Sequence, residues 1–350
     1  VGAGLLIRSL THLTHVNLGF DPDPLLVGTV RIADTDYPTA GQRHLFFSSL
    51  LEEIEAQPGV TSAALASKLP IRNPWQDWPI WRAENPRPTS QDSFFAMARW
   101  VSPGYFDTVG TPLVSGRGIS AEDVPGAPLV VVLSEDTARG LFPDGEPLGQ
   151  SVKLGWTDDP YRVIGVAADA RLNTLRRAPD AAFYAAAAQV EANGMMPGTQ
   201  LQVAIRTPGD PEGLAGPLED LLRRKDPNAL LAGVAPLRAV VDEALGDFRV
   251  VILSLGLFAG VALLLTAIGL YGVLAYHVHQ RTNEIAVRLA LGASQGTILN
   301  LILKRGLALV GGGLLVGLVG AWSASRVLGR LLFETRPLDP TAYASASVFL

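Results

Sequence analysis

The sequence predicts an α+β domain, a βαβ sandwich carrying an inserted subdomain, joined to transmembrane α-helices. Three observations carry this prediction. Strand-like and helix-like stretches alternate through residues 21–247, charge is shared unevenly along the chain, and two long runs carry no charge at all. The 350 residues hold 28 Lys plus Arg against 33 Asp plus Glu, and only 17% are charged. A soluble domain usually carries roughly a quarter. Residues 1–249 contain 21 basic and 30 acidic side chains, net −9, whereas 250–350 contain 7 and 3, net +4. The first part has the polarity of a water-soluble fold and is long enough to bury a core. The second does not.

The chain opens on VGAGLLIRSL, which reads as the last turns of an apolar helix ending at Arg8. Residues 1–19 are therefore expected to be the end of a transmembrane helix and its extension. TAYASASVFL, 341–350, reads as the start of a truncated last helix. The natural chain is expected to continue in both directions.

Within 20–247, LLVGTVRIA (25–33) reads as a strand, AGQRHLFFSSLLEEIEAQ (40–57) as an amphipathic helix and VTSAALAS (60–67) as a strand. Leu45, Leu50, Leu51 and Ile54 fall near one face of that helix. The same order returns in LQVAIRT (201–207), PEGLAGPLEDLLRRKD (211–226) and ALLAGV (229–234). Two such units make one layer of strands covered by two helices. Between them lies an insertion, about 68–199, rich in Pro, Gly and Trp. It has strand signals at 128–134 and 161–167 and a short helix at 135–142.

From Val250 to Val278 there are 29 residues without Asp, Glu, Lys or Arg. As a helix they extend ~43 Å, beyond the ~30 Å hydrocarbon core of a bilayer. Globular helices average ~11–12 residues, so a buried soluble helix is the weaker reading. Gly306–Ser325 gives a second uncharged run of 20 residues after Lys304 and Arg305. Transmembrane helices are expected at about 250–278 and 304–327. Gly256 with Gly260, and Gly313 with Gly317, are spaced four apart, and small residues at that spacing let helices approach closely in lipid. General tolerance of glycine in lipid accounts for them equally well.

The chemistry that the sequence excludes is as informative. With no Cys there is no disulfide, thiolate zinc site or iron–sulfur ligation. The acidic balance argues against nucleic acid as a partner. The four lysines, Lys68, Lys153, Lys225 and Lys304, all lack the Gly-Lys-Ser/Thr context of a phosphate-binding loop. No ATP hydrolysis of that kind is expected here. No catalytic set, metal site or cofactor site emerges: His12/His15 lack a carboxylate at ligand spacing, and His277/His279 diverge on a helix. Ser134 before Glu135 and Asp136 reads as a helix N-cap rather than a nucleophile. Trp75, Trp78 and Trp81 read as packing inside the insertion, with an exposed aromatic patch as the rival. On a helix, Arg281, Glu284 and Arg288 share one face beside Ile285 and Leu289. That suits docking to a soluble partner as well as it suits an ordinary charged loop.

IGLYGVLAYHVHQRTNEIAVRLALGAS (268–294) resembles the signature of FtsX-like permeases, the membrane subunits of MacB-type ABC transporters. GYFDTVGTPLVSGRGIS (104–120), VVLSEDTARGLFPDGEPLGQSVKLG (131–155), YRVIGVAADAR (161–171) and LGRLLFETRPLDPTAY (328–343) resemble further blocks of that family. The likeness is strongest to the second half of the double permeases abundant in acidobacteria.

The resemblance implies a bacterial inner-membrane, multi-pass protein. Residues 20–247 would be an extracytoplasmic MacB-like domain and 248–350 a permease core, with a cytoplasmic coupling segment at 279–297 and a last helix from about 341. Motion driven by a cytoplasmic ABC ATPase would pass to the outer domain, for efflux or release of a substrate. Gln280, Arg281, Glu284, Arg288 and Gly292 would couple to that ATPase, and the four glycines would pack helices. Partners would be the ATPase, the lipid bilayer, a second permease copy or half, and a periplasmic adaptor. The alternative is a non-transporting scaffold that recruits or activates a cell-envelope enzyme.

Overall fold

The computed structural model describes residues 17–72, 77–89, 92–174, 179–192 and 198–280, together with 282, 287, 311–313 and 317. The chain divides into two compact units, Val16–Leu245 and a second formed by Val1–His15 with Gly246–Leu350.

In the first unit, β1 (Leu25–Arg31), α1 (Ala40–Glu55) and β2 (Ser62–Ala66) follow one another, as the periodicity predicts. Thr39 starts α1 through a capping box with Gln42, satisfying two backbone donors at once. The buried face of α1 is Phe46, Phe47, Leu50 and Ile54. Leu45, expected on that face, is 69% exposed. The paired phenylalanines one and two positions later point the helix more fully at the sheet.

The second unit of the pattern is β10 (Gln200–Arg206), a 3-10 turn at Pro211–Leu214, α5 (Ala215–Lys225) and β11 (Leu230–Pro236). The strand order is β11-β1-β10-β2, with every neighbouring pair antiparallel. Thus β1 and β2 run parallel with β10 between them, while β10 and β11 run parallel with β1 between them. The two βαβ units are interleaved, the split βαβ arrangement of ferredoxin-like folds. Leu26, Val30, Leu65, Val203 and Ile205 pack beneath α1 and α5 with Leu50, Ile54, Leu218 and Leu222.

The insertion forms β3 (Asp77–Arg82), β4 (Phe94–Val101), α2 (Tyr105–Val109), β5 (Leu113–Gly116), β6 (Val130–Ser134), α3 (Glu135–Leu141), β7 (Ser151–Leu154), β8 (Tyr161–Ala167), β9 (Ala182–Ala186) and α4 (Ala187–Ala192). Its strands pair in the order β4-β3-β7-β8-β6-β9, and β9 pairs back to β4. The result is a closed six-stranded barrel, which leaves none of these six strands as a free edge. β5 hangs on β8. Alternation sorts the side chains. Ala96, Ala98, Trp100, Val131, Leu133, Phe183 and Ala185 fill the interior. Met97, Val101, Val132 and Tyr184 face outward into a second core shared with Leu25, Val27, Ala64 and Ala204 of the sheet.

The sheet meets the barrel at one strand pair, Ala66↔Val101. Two serines extend that joint: Ser102 Oγ accepts from Leu65 N (2.9 Å) and Ser67 Oγ accepts from Trp100 N (3.0 Å).

Glycine is required in the 104–120 stretch. Gly116 has φ +73°, and a Cβ there would lie 2.2 Å from the Ile164 carbonyl oxygen. Only glycine allows β5 to approach β8 so closely.

The last helix of the series, α6, runs Leu237–Gln280. The uncharged run suggests a start at Val250, but the helix begins thirteen residues earlier. Lack of charge marks the segment compatible with lipid, whereas the helix start is set where Leu237 and Val241 are buried in the domain core.

Candidate functional site

Two places in the Val16–Leu245 unit combine built geometry with polar chemistry. The first is a clasp where the chain enters and leaves the unit. Arg206, at the end of β10, donates from Nε to the Thr108 carbonyl (2.8 Å), from Nη1 to the Asp23 carbonyl (2.7 Å) and from Nη2 to the Asp21 carbonyl (3.0 Å). It also pairs with the Asp21 carboxylate at 3.3 Å. Arg238, in the first turn of α6, donates from Nε to Asp23 Oδ2 at 2.7 Å, and its Nη2 contacts the same oxygen. That hydrogen bond raises the Arg238 pKa above its ordinary value. Beneath these charges Phe20, Leu25 and Val109 share a core with Leu237 and Val241. Gly110, at φ +73°, gives room for the entry segment: a Cβ there would sit 2.7 Å from Asp21 Cβ. The incoming segment and the outgoing helix are thus fastened to each other by an ion pair over shared apolar packing.

The second place is a cleft of about 510 Å³. On one side lies a face of α1 carrying His44, Ser48, Leu51, Glu52 and Glu55, and on the other are Val101, Gly104, Ile119, Val124 and Ala187. Burial lowers the pKa of His44 from 6.5, which favours the neutral imidazole. Asp123 also lines the cleft, but Arg117 holds both its oxygens, at 2.8 and 2.9 Å, and Ser120 N donates to it at 2.8 Å. Burial alone would push that carboxyl up; the Arg117 and Ser120 hydrogen bonds outweigh it and hold the group below 3.8.

The residues singled out from sequence fall as follows. Ser134 is fully buried and caps α3, its Oγ accepting from Thr137 N (3.3 Å) and Ala182 N (3.0 Å). Trp78 packs edge-on against Trp156 at 5.4 Å, and Trp81 is buried beneath Arg87. These two form internal packing; Trp75 lies outside the described residues, as do His12 and His15. Gln280 is exposed at the end of α6, where its Nε2 donates to the Tyr276 hydroxyl at 2.9 Å. Arg281, Glu284, Arg288 and Gly292 lie outside the described residues. Among the described residues, a Cβ built on Gly256, Gly260, Gly313 or Gly317 meets nothing within 4 Å. Among the described residues no group of three or more His, Asp or Glu could hold a metal ion.

One buried charge had no sequence signal. Arg99, in β4, is 1% exposed among Tyr105 and Tyr184, and among the described residues its hydrogen bonds reach the Ala98 carbonyl and Met97 sulfur. Burial lowers its pKa. The clasp and the cleft were likewise missed, because Asp23 and Arg238 are 215 positions apart in sequence.

Among the described residues one helix is long and apolar enough to cross a membrane. Its apolar window, Gly256–Val273, has mean hydropathy 2.0, and Leu257 and Phe258 are 69% and 70% exposed.

An α/β layer joined to a barrel is followed by an exposed apolar helix. The MacB-like periplasmic core domain model matches residues 18–221, and the FtsX-like permease C-terminal model matches 256–349. The chain belongs to this family of ABC transporter permeases, whose members are inner-membrane proteins with a periplasmic domain.

Its relatives include the macrolide export ATP-binding/permease protein MacB of Agrobacterium fabrum, 31% identical over 66% of this chain and 36% of that protein. The MacB of Mannheimia succiniciproducens is 26% identical over 57% of this chain and 30% of its own length. The chain spans about a third of the length of these relatives. The crystal structure of the periplasmic region of MacB from Actinobacillus actinomycetemcomitans aligns with TM-score 0.43 and 19% identity, covering 66% of this chain and 96% of that one.

Proposed function

We propose that the chain is the permease part of a MacB/FtsX-type ABC transporter, passing ATP-driven motion from a cytoplasmic ATPase to its periplasmic domain for efflux or release of a substrate. The observation that carries the reading is the entry–exit clasp. The two segments that connect the domain to the rest of the chain are locked together by Asp23–Arg238, and Arg206 ties the incoming one to the domain at Asp21 and Asp23. A displacement of either connection then reaches the domain as one movement. Family membership and the exposed apolar stretch of α6 support the same reading.

In it, residues 20–247 are the periplasmic domain, with about 68–199 as its inserted subdomain. Helices at about 250–278 and 304–327, with a last one from about 341, form a multi-pass inner-membrane core. Residues 279–297 lie in the cytoplasm, where Gln280, Arg281, Glu284, Arg288 and Gly292 meet the ATPase. Gly256, Gly260, Gly313 and Gly317 pack helices within the core or against a second permease copy. A periplasmic adaptor is a further partner. Hydrolysis of ATP takes place on the ATPase subunit.

The test is reconstitution of the full-length protein with its cognate ATPase in lipid. Charge reversal of Arg281, Glu284 and Arg288 together should abolish complex formation and stimulated ATP hydrolysis. Wild-type levels of both in the reversed protein would overturn the coupling assignment.

A further inference from the structure

The cleft between α1 and the barrel is a feature of the periplasmic domain that the coupling reading does not use. Leu51, Val101, Ile119 and Val124 make its walls apolar, and its volume of about 510 Å³ lies in the range of small-molecule sites. Its formally charged groups are all carboxylates, beside the polar Ser48, Ser102, Ser120 and His44. Glu52 and Glu55 stand three apart, on the same face of α1, and both are exposed at the cleft. Neither carboxylate has an ion-pair partner among the described residues. No Lys or Arg lines the cleft, the charge of Asp123 is spent on Arg117, and His44 is favoured neutral.

We infer that this cleft binds a small apolar organic cation, with its hydrophobic body against Leu51, Val101, Ile119 and Val124 and its positive charge facing Glu52 and Glu55. The sign follows from charge complementarity: two uncompensated carboxylates attract a cation and repel an anion of the same shape. The apolar character follows from the walls, which give nothing to a strongly hydrated ion such as ammonium or a metal and repay burial of hydrocarbon. The inference rests on the export reading only for its biological purpose. Binding is measured without an ATPase, so it can fail while coupling stands, and coupling can fail while binding stands.

The probes are tetraphenylphosphonium and tetraphenylborate, a cation and an anion of nearly the same size and shape. Each is titrated into the full chain in neutral-lipid nanodiscs, with empty nanodiscs subtracted. The expected result is saturable binding of tetraphenylphosphonium at one site per chain and weaker binding of tetraphenylborate to the protein. E52Q/E55Q should weaken the cation about fivefold, the size of effect expected from two surface carboxylates, and should narrow the gap between the two ions. S48W, which places an indole in the cleft, should remove saturable binding. The glutamate variants alter exposed side chains, so they keep the test decisive if S48W fails to fold. Equal binding of the two ions, unchanged cation affinity in E52Q/E55Q, or partitioning without saturation would each overturn the inference.

Discussion

Leu25 in β1 is fully buried, whereas Leu257 in α6 is 69% exposed. The same side chain is enclosed in one place and open in the other. In the Val16–Leu245 unit the helix Ala40–Glu55 buries one face and wets the other, while strands such as Val130–Ser134 are enclosed on both faces by the two cores. Along 253–276 of α6 they occupy every face, and no amount of folding within one helix can hide them. Both the charge content and the spacing of apolar residues differ between the two regions, and together they decide whether a leucine can be enclosed by its own unit.

The largest test of that contrast removes a leucine on each side. Leu50→Ala in α1, whose side chain is fully buried, should lower the unfolding free energy of the domain by about 2–5 kcal/mol in denaturant titration. Leu264→Ala, at a position 61% exposed, should leave that transition within about 0.5 kcal/mol. A comparable loss from Leu264→Ala would mean that α6 packs on protein along its length and that the contrast is wrong.

Glycine offers a second comparison. Gly116→Ala forces a Cβ against the Ile164 carbonyl at a positive φ, and should cost roughly 2–3 kcal/mol by the same titration. Gly256→Ala meets open space and should leave the domain transition unchanged, while favouring the helix by up to about 1 kcal/mol. If Gly256→Ala instead disrupts permease assembly in lipid, measured by crosslinking or native mass, that face of α6 packs against another helix as proposed.

The smallest effects are titrations, and they separate the regions because 250–278 carries no Asp, Glu, Lys or Arg. The folded-state pKa of Asp123 lies below 3.8, so its contribution is present above that value and is lost as pH falls through the folded pKa. Asp123→Asn should remove about 1 kcal/mol at neutral pH and flatten this part of the acid limb. The folded-state pKa of His44 lies below 6.5. It adds no penalty above that pH. Below it the unfolded chain takes up the proton more readily than the folded one, and stability declines until the folded pKa is passed. His44→Gln should abolish that decline, read as the difference between the two melting-temperature profiles from pH 7 to 5.

The elements that could be read from sequence are those whose pattern is local. The strand Leu25–Arg31, the helix Ala40–Glu55 and their later counterparts carry such local signals, as do the β-branched apolar runs Val130–Ser134 and Tyr161–Ala167. The rest of the insertion is different. β9 lies in AAFYAAAAQ, an alanine-rich run that locally favours helix. It becomes a strand because β4 and β6 pair with it on both sides. β5 and β7 have four residues each, too short for a period to show. β4 carries Arg99 at a position that is fully enclosed, where an alternating pattern would place a solvated side chain.

Residue order alone therefore settled the two α/β units, the uncharged runs and the family, because these depend on spacing over a few turns or on contiguous motifs. Closure of the barrel, the clasp of Asp21 and Asp23 with Arg206 and Arg238, and the cleft beside Glu52 and Glu55 were decided by the tertiary structure. Each joins residues far apart along the chain, and their contact exists only after the loops between them have closed, a step with no local sequence signature.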